Sequence, residues 1–109
     1  VVARLIGVGI PKTLTFRSER YRRAVASLPC ACCGKPGPSQ AAHSNLPEHG
    51  KGMSMKASDA ALFPLCPDCH RDYDQGAHYT RDERRQLAFE WIAATHIALI
   101  ERGLIEVTK

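Results

Sequence analysis

The sequence predicts a small α+β domain whose two distant halves are stapled together. Three observations carry this prediction. Two Cys-x-x-Cys knuckles, Cys30/Cys33 and Cys66/Cys69, are separated by thirty-two residues. Two short apolar segments, Ser39–Ser44 and Ala60–Leu65, read as strands that follow the first knuckle and lead into the second. Helix signals open at Ser18, Pro67 and Thr80, which gives a short N-terminal helix, a knuckle helix and a long C-terminal helix.

The elements follow in order. Residues 1–16 are apolar with scattered Lys and Arg, and are expected to form an extended N-terminal arm. Residues 17–109 are expected to form one domain. Ser18 can cap a helix over Ser18–Leu28, with Tyr21, Ala24, Val25 and Leu28 on one stripe, and Pro29 ends it. Residues 29–38 are a Gly/Pro-rich knuckle, and residues 45–58 are a loop rich in Gly and Lys. Pro67 opens a short helix running to Asp74. Thr80 and Glu83 form a capping box for a helix that runs to about Arg102, where Gly103 stops it. Leu87, Trp91, Ala94 and Ala98 give that helix one stripe, widened by Phe89, Ile92, Ile97 and Ile100.

Composition bounds the function. A chain of 109 residues holds one modest core and not an enzyme core with a separate substrate domain. Hydrophobic residues at 44% exclude a disordered tail. No apolar run reaches the length of a membrane span. Val1–Ile10 carries Arg4 and lacks the features of a signal peptide, so the expected compartment is the cytoplasm. Fifteen Lys and Arg against eleven Asp and Glu leave +4, which permits a polyanionic partner without demanding one.

Five cysteines in a reducing compartment point to metal rather than disulfides, and an odd count leaves one unpaired. A two-residue gap lets two thiolates reach one ion, and two such knuckles complete a tetrahedral zinc site. Cys30, Cys33, Cys66 and Cys69 are therefore the expected ligands of a structural Zn²⁺, with Cys32 spare. His70 and Asp74 lie four apart on a helix and share a face. They can hold one divalent ion, or form an exposed surface pair. His43 ends an apolar strand and can serve as a general base, or as a hydrogen-bonded structural residue. His49 falls in the Gly/Lys loop, His96 within the long helix, and His78 near enough to lean toward His70. Gly50–Lys56 lacks the Walker pattern, so nucleotide hydrolysis is not supported.

The order of these pieces resembles the HNH, or ββα-metal, endonucleases. More closely, residues 17–105 resemble the small prophage-encoded YbcO-type predicted nucleases and the phage recombination-enhancement nucleases. The runs that carry the resemblance are Leu28-Pro29-Cys30-Ala31-Cys32-Cys33-Gly34, Ala41-Ala42-His43-Ser44, Gly50-Lys51-Gly52, Lys56-Ala57-Ser58-Asp59 and Pro64-Leu65-Cys66-Pro67-Asp68-Cys69-His70. The resemblance implies a zinc-stapled ββα-metal core and a metal-dependent DNA endonuclease of phage or prophage recombination. It makes His43 the base that activates water, and His70 and Asp74 the ligands of a catalytic Mg²⁺, Mn²⁺ or Ni²⁺. Ala42 stands where many members carry another metal ligand, and Ala61 where they carry an Asn. Asp59, His78 and Asn45 are the residues able to compensate. Arg20, Arg22, Arg23, Lys51, Lys56 and Arg71 are candidate phosphate contacts, and DNA or a recombination protein is the expected partner. Ala42 and Ala61 also motivate a rival, a non-catalytic zinc module that binds DNA or a recombination protein. A thiol–disulfide enzyme is a third reading, which stoichiometric zinc would exclude.

Overall fold

A computed structural model describes residues 15–52 and 55–108. Most of the expected N-terminal arm lies outside the described residues. Helix α1 spans Glu19–Ala26 and is capped by Ser18, whose hydroxyl accepts from the Tyr21 N–H at 3.0 Å. It is shorter than the sequence suggests, because Ser27 caps its C-terminal end before Pro29. Strand β1 spans Gln40–His43 and β2 spans Leu62–Leu65. They pair antiparallel, with Gln40 opposite Leu65 and His43 opposite Leu62. Helix α2 spans Pro67–Asp74 and α3 spans Arg81–Glu101, the latter with the expected Thr80/Glu83 capping box. Gly103, at φ 71°, supplies the C-terminal stop.

The second strand starts later than expected. Asp59–Ala61 forms one turn of 3-10 helix, with the Ser58 hydroxyl accepting from the Ala60 N–H. Two alanines fit a turn as readily as a strand, and the side-chain bond from Ser58 decides between them. A second 3-10 turn, Pro47–His49, sits in the predicted loop.

All four residues of β2 are buried, and alternation divides them between two cores. Leu62 packs with Val25, Leu28 and Leu99 on the α1 face. Phe63 and Leu65 pack with Ala42, Tyr73, Ala88 and Trp91 on the other. The rings of Phe63, Tyr73 and Trp91 stand 5.3–5.7 Å apart, edge-on or tilted. Pro64 lacks an N–H, yet its carbonyl on the free edge of β2 accepts from the Ala31 N–H at 2.7 Å. That bond ties the first knuckle to the strand that leads into the second.

Helix α3 buries Ala88, Trp91, Thr95 and Leu99. This corrects the predicted stripe. Ala94 is exposed, as are Phe89, Ile97 and Ile100. The helix is apolar nearly all round in its second half, so periodicity alone could not choose the face.

Candidate metal centre and active site

The cysteine cluster is built by local backbone chemistry. Gly34, at φ 78°, turns the first knuckle and donates its N–H to the Cys30 carbonyl at 2.9 Å. Cys66 ends β2 and caps α2, so Cys69 follows within the first helical turn. The four Sγ atoms of Cys30, Cys33, Cys66 and Cys69 all lie within 4.8 Å of one another. Cys33 and Cys66 are 3.9 Å apart, far beyond a disulfide. Thiolates bound to tetrahedral zinc stand about 3.8 Å apart, given Zn–S bonds near 2.3 Å. Burial raises the Cys30 thiol, but the N–H groups of Cys33, Cys66 and Cys32 outweigh it and bring it down to about 6. Cys69 is pushed up by burial and by its sulfur neighbours. These four cysteines could hold a structural metal such as zinc. Cys32 lies outside the set, exposed, with Sγ 3.7 Å from the Tyr79 hydroxyl.

His43 and Asp59 form a second constellation. His43 Nε2 is 2.9 Å from Asp59 Oδ1. Asp59 is buried, and its other oxygen accepts from the Ser18 N–H at 2.9 Å and from Arg22 at 2.5 Å. Arg17 stands 3.5 Å from Oδ1 and also donates to the carbonyls of Lys56 and Ala57. Asp59 was expected only as a support. It is the hub that joins α1, the 3-10 turn and the end of β1.

Burial raises the Asp59 pKa, but donation from Ser18, His43 and Arg22 outweighs it and holds the carboxyl below its ordinary value. A depressed carboxylate contributes stability that is present above its unfolded value, about 3.9, and lost as pH falls through the folded one. Acidification below about 4 should therefore destabilise the wild type more steeply than Asp59→Asn. Urea midpoints measured across that range check it. Asp59→Asn should also cost about 1.5–3 kcal/mol near neutral pH, since Arg22 and His43 lose a charged acceptor.

His70 and Asp74 form a third set. His70 Nε2 is 3.1 Å from Asp74 Oδ2, and His70 Nδ1 is 2.7 Å from Gln40 Oε1. Asn45 donates toward Asp74 Oδ1 at 3.4 Å. Strand alternation sends Gln40 and Ala42 to one face of β1 and His43 to the other. No direct contact joins His43 to His70 or Asp74 among the described residues. Past the end of β1 the chain turns at Asn45, at φ 59°, whose side chain reaches Asp74. A cleft of about 530 Å³ lies beside Asn45 and Asp74, with Arg81, Asp82 and Arg84 also in its wall; among the described residues, His43 and His70 do not line it.

The remaining histidines and cations serve elsewhere. His78 is exposed and packs edge-on against Tyr79, without contact to His70 or Asp74 among the described residues. The Ser44 hydroxyl and His49 Nδ1 are 2.8 Å apart, and burial holds His49 below its ordinary pKa. His96 donates to the Ala60 carbonyl at 2.8 Å and fastens α3 to the 3-10 turn. Arg23 pairs with Glu19 and Arg71 with Asp68, each within its own helix. Arg20 lines a hollow beside Tyr21 and Ile105, while Lys51 and Lys56 are exposed in the loop. Arg85 pairs with Glu48. Sequence reasoning missed Gln40, Arg17, Arg81 and Arg84. Arg81 and Arg84 were signalled only by the density of arginines in the first turns of α3.

A family described as a protein of unknown function, DUF968, matches residues 7–93. The chain is 39% identical over 64 residues to the uncharacterized protein YdfU of Escherichia coli strain K12. That match covers 58% of this chain and 18% of YdfU. A solved structure attributed to a bacteriophage protein from Escherichia coli K-12 substrain MG1655 is similar at 25% identity and a TM-score of 0.46. The likeness covers 79% of this chain and 95% of that one. Among the described residues, no helix is long and apolar enough to cross a membrane.

Proposed function

This chain belongs to the DUF968 family, whose function is unknown, and we propose that it is a metal-dependent DNA endonuclease of the ββα-metal kind. One observation carries the reading. The buried Asp59 carboxylate accepts a hydrogen bond from the Nε2–H of His43, which leaves the Nδ1 lone pair as the proton acceptor of the ring. A histidine oriented by a buried carboxylate is arranged for general base work.

In the proposed reaction, His43 Nδ1 removes a proton from a water molecule as that water attacks phosphorus. The bond from phosphorus to the 3′ oxygen breaks, and that oxygen takes a proton from solvent, leaving a 5′ phosphate and a 3′ hydroxyl. His70 and Asp74, supported by Asn45, would hold a divalent ion such as Mg²⁺, Mn²⁺ or Ni²⁺ beside the cleft. Such an ion offsets charge on the phosphate and on the leaving oxygen. The four cysteines would hold Zn²⁺ as a structural staple, apart from the chemistry. Arg81 and Arg84 line the cleft, and with Lys51 and Lys56 they would contact DNA phosphates. A phage or prophage setting, and a recombination protein as partner, follow from the motif resemblance.

A second reading is favoured by a specific observation. Ala42 is 1% exposed and Ala61 is 5% exposed, so two positions where related nucleases carry polar groups are core here. That suits a zinc-stapled module that binds DNA without cutting it. Supercoiled plasmid incubated with zinc-loaded protein separates the two. Nicking that requires added Mg²⁺, Mn²⁺ or Ni²⁺ and stops in EDTA supports the nuclease. Salt-sensitive binding with no nicking under any ion supports the module.

A further inference from the structure

We propose that Gln40 is a positioning residue that fixes the tautomer of His70, so that the bare Nε2 of the ring faces Asp74 across a divalent-cation site. The inference rests on the reading of His70 and Asp74 as an ion-binding pair, and adds a residue to which no role has been given. It begins with an amide oxygen. Gln40 Oε1 lies 2.7 Å from His70 Nδ1. An amide oxygen only accepts, so Nδ1 must carry the hydrogen. A neutral imidazole has one N–H, so Nε2 is left with a lone pair. That lone pair faces Asp74 Oδ2, itself an acceptor, at 3.1 Å. Two acceptors at that separation need either a second ring proton or a cation between them, and a divalent ion bound to both meets that need when the ring is neutral.

The spacing suits a metal ion. Two ligand atoms about 2.1 Å from an ion with octahedral geometry stand about 3.0 Å apart across a right angle. Gln40, His70, Arg71 and Asp74 line a common hollow, so solvent and ions reach the pair. The register explains why residue 40 takes this role. Gln40 pairs with Leu65, immediately before the knuckle that opens α2, and His70 begins the second turn of that helix. Strand register and the start of α2 therefore set the distance between Gln40 and His70. A ligating histidine whose second nitrogen is held by an acceptor binds metal more tightly, and loss of that acceptor typically costs about 10–100-fold in affinity.

The test uses zinc-loaded, ¹⁵N-labelled protein. Long-range ¹H–¹⁵N spectra at one alkaline pH, without added ion, report the His70 tautomer. The Nδ1–H form is expected in wild type and in Gln40→Glu, whose carboxylate can still accept, and a shift toward Nε2–H is expected in Gln40→Ala. Mn²⁺ binding should weaken about 10–100-fold in Gln40→Ala and not in Gln40→Glu. Nε2–H in wild type, or a tautomer unchanged in Gln40→Ala, would overturn the proposal. The expected tautomers with no Mn²⁺ binding and no plasmid nicking would leave the positioning role standing and remove the nuclease reading instead.

Discussion

Cys66→Ser should lose the zinc that the four cysteines could hold, and the fold with it. Cys66 is buried, ends β2 and caps α2, and its carbonyl accepts from the His70 N–H at 2.8 Å. Its sulfur faces Cys33 from the other knuckle. The core is small and divided in two by the sheet, with Val25, Leu28, Leu62 and Leu99 on one face. Structural zinc contributes about 10–16 kcal/mol of apparent binding free energy in small domains. Whole domains are stable by only about 5–15 kcal/mol. Loss of one thiolate therefore removes more than a domain of this size can spare. Circular dichroism and zinc analysis should show an unfolded, zinc-poor protein, and a strong chelator should unfold the wild type in the same way. Cys32→Ser is the control, since Cys32 is exposed and outside the cluster, and it should fold with full zinc. A folded, zinc-loaded Cys66→Ser protein would refute the staple.

His43→Ala should lower plasmid nicking by about 10²–10⁴-fold, the usual contribution of a positioned base. It should do so without unfolding the chain. His43 sits at the end of β1, and among the described residues its ring makes one hydrogen bond, to Asp59. Asp59 keeps the Ser18 N–H and Arg22 as donors when the ring is removed. The structural cost is one hydrogen bond to a charged group, about 1.5–3 kcal/mol. Asp59→Asn gives a second readout, because an amide can still meet the ring but no longer offers a charge. Nicking should fall less than in His43→Ala, and the loss should be in turnover rather than in DNA binding.

The four-cysteine cluster was legible because it is local chemistry. Two-residue spacing, Gly34 and Pro67 describe knuckles without any knowledge of the fold. Ser18 and the Thr80/Glu83 box placed helix starts for the same reason. What failed depended on distance. The apolar run Ala60–Leu65 carries no sign that Ser58 bonds the Ala60 N–H and delays the strand. The burial of Ala88, Trp91, Thr95 and Leu99 is decided by which face of α3 meets Phe63 and Leu62, not by the composition of the helix. Asp59 could be singled out as an acid near the second strand. Its ties to Ser18, Arg22 and His43 span sixteen to forty-one residues and exist only after folding. Gln40 had no signal of its own, because its partner is set by strand register.

Plasmid nicking by wild type and His43→Ala side by side, at matched zinc content and matched circular dichroism, decides whether His43 serves a nuclease. Each is assayed with Mg²⁺, Mn²⁺, Ni²⁺ or EDTA. Wild type should nick with a divalent ion and not in EDTA, and His43→Ala should nick about 10²–10⁴-fold less. Equal nicking by the two proteins, or none by a folded, zinc-loaded wild type with any ion, would contradict that expectation.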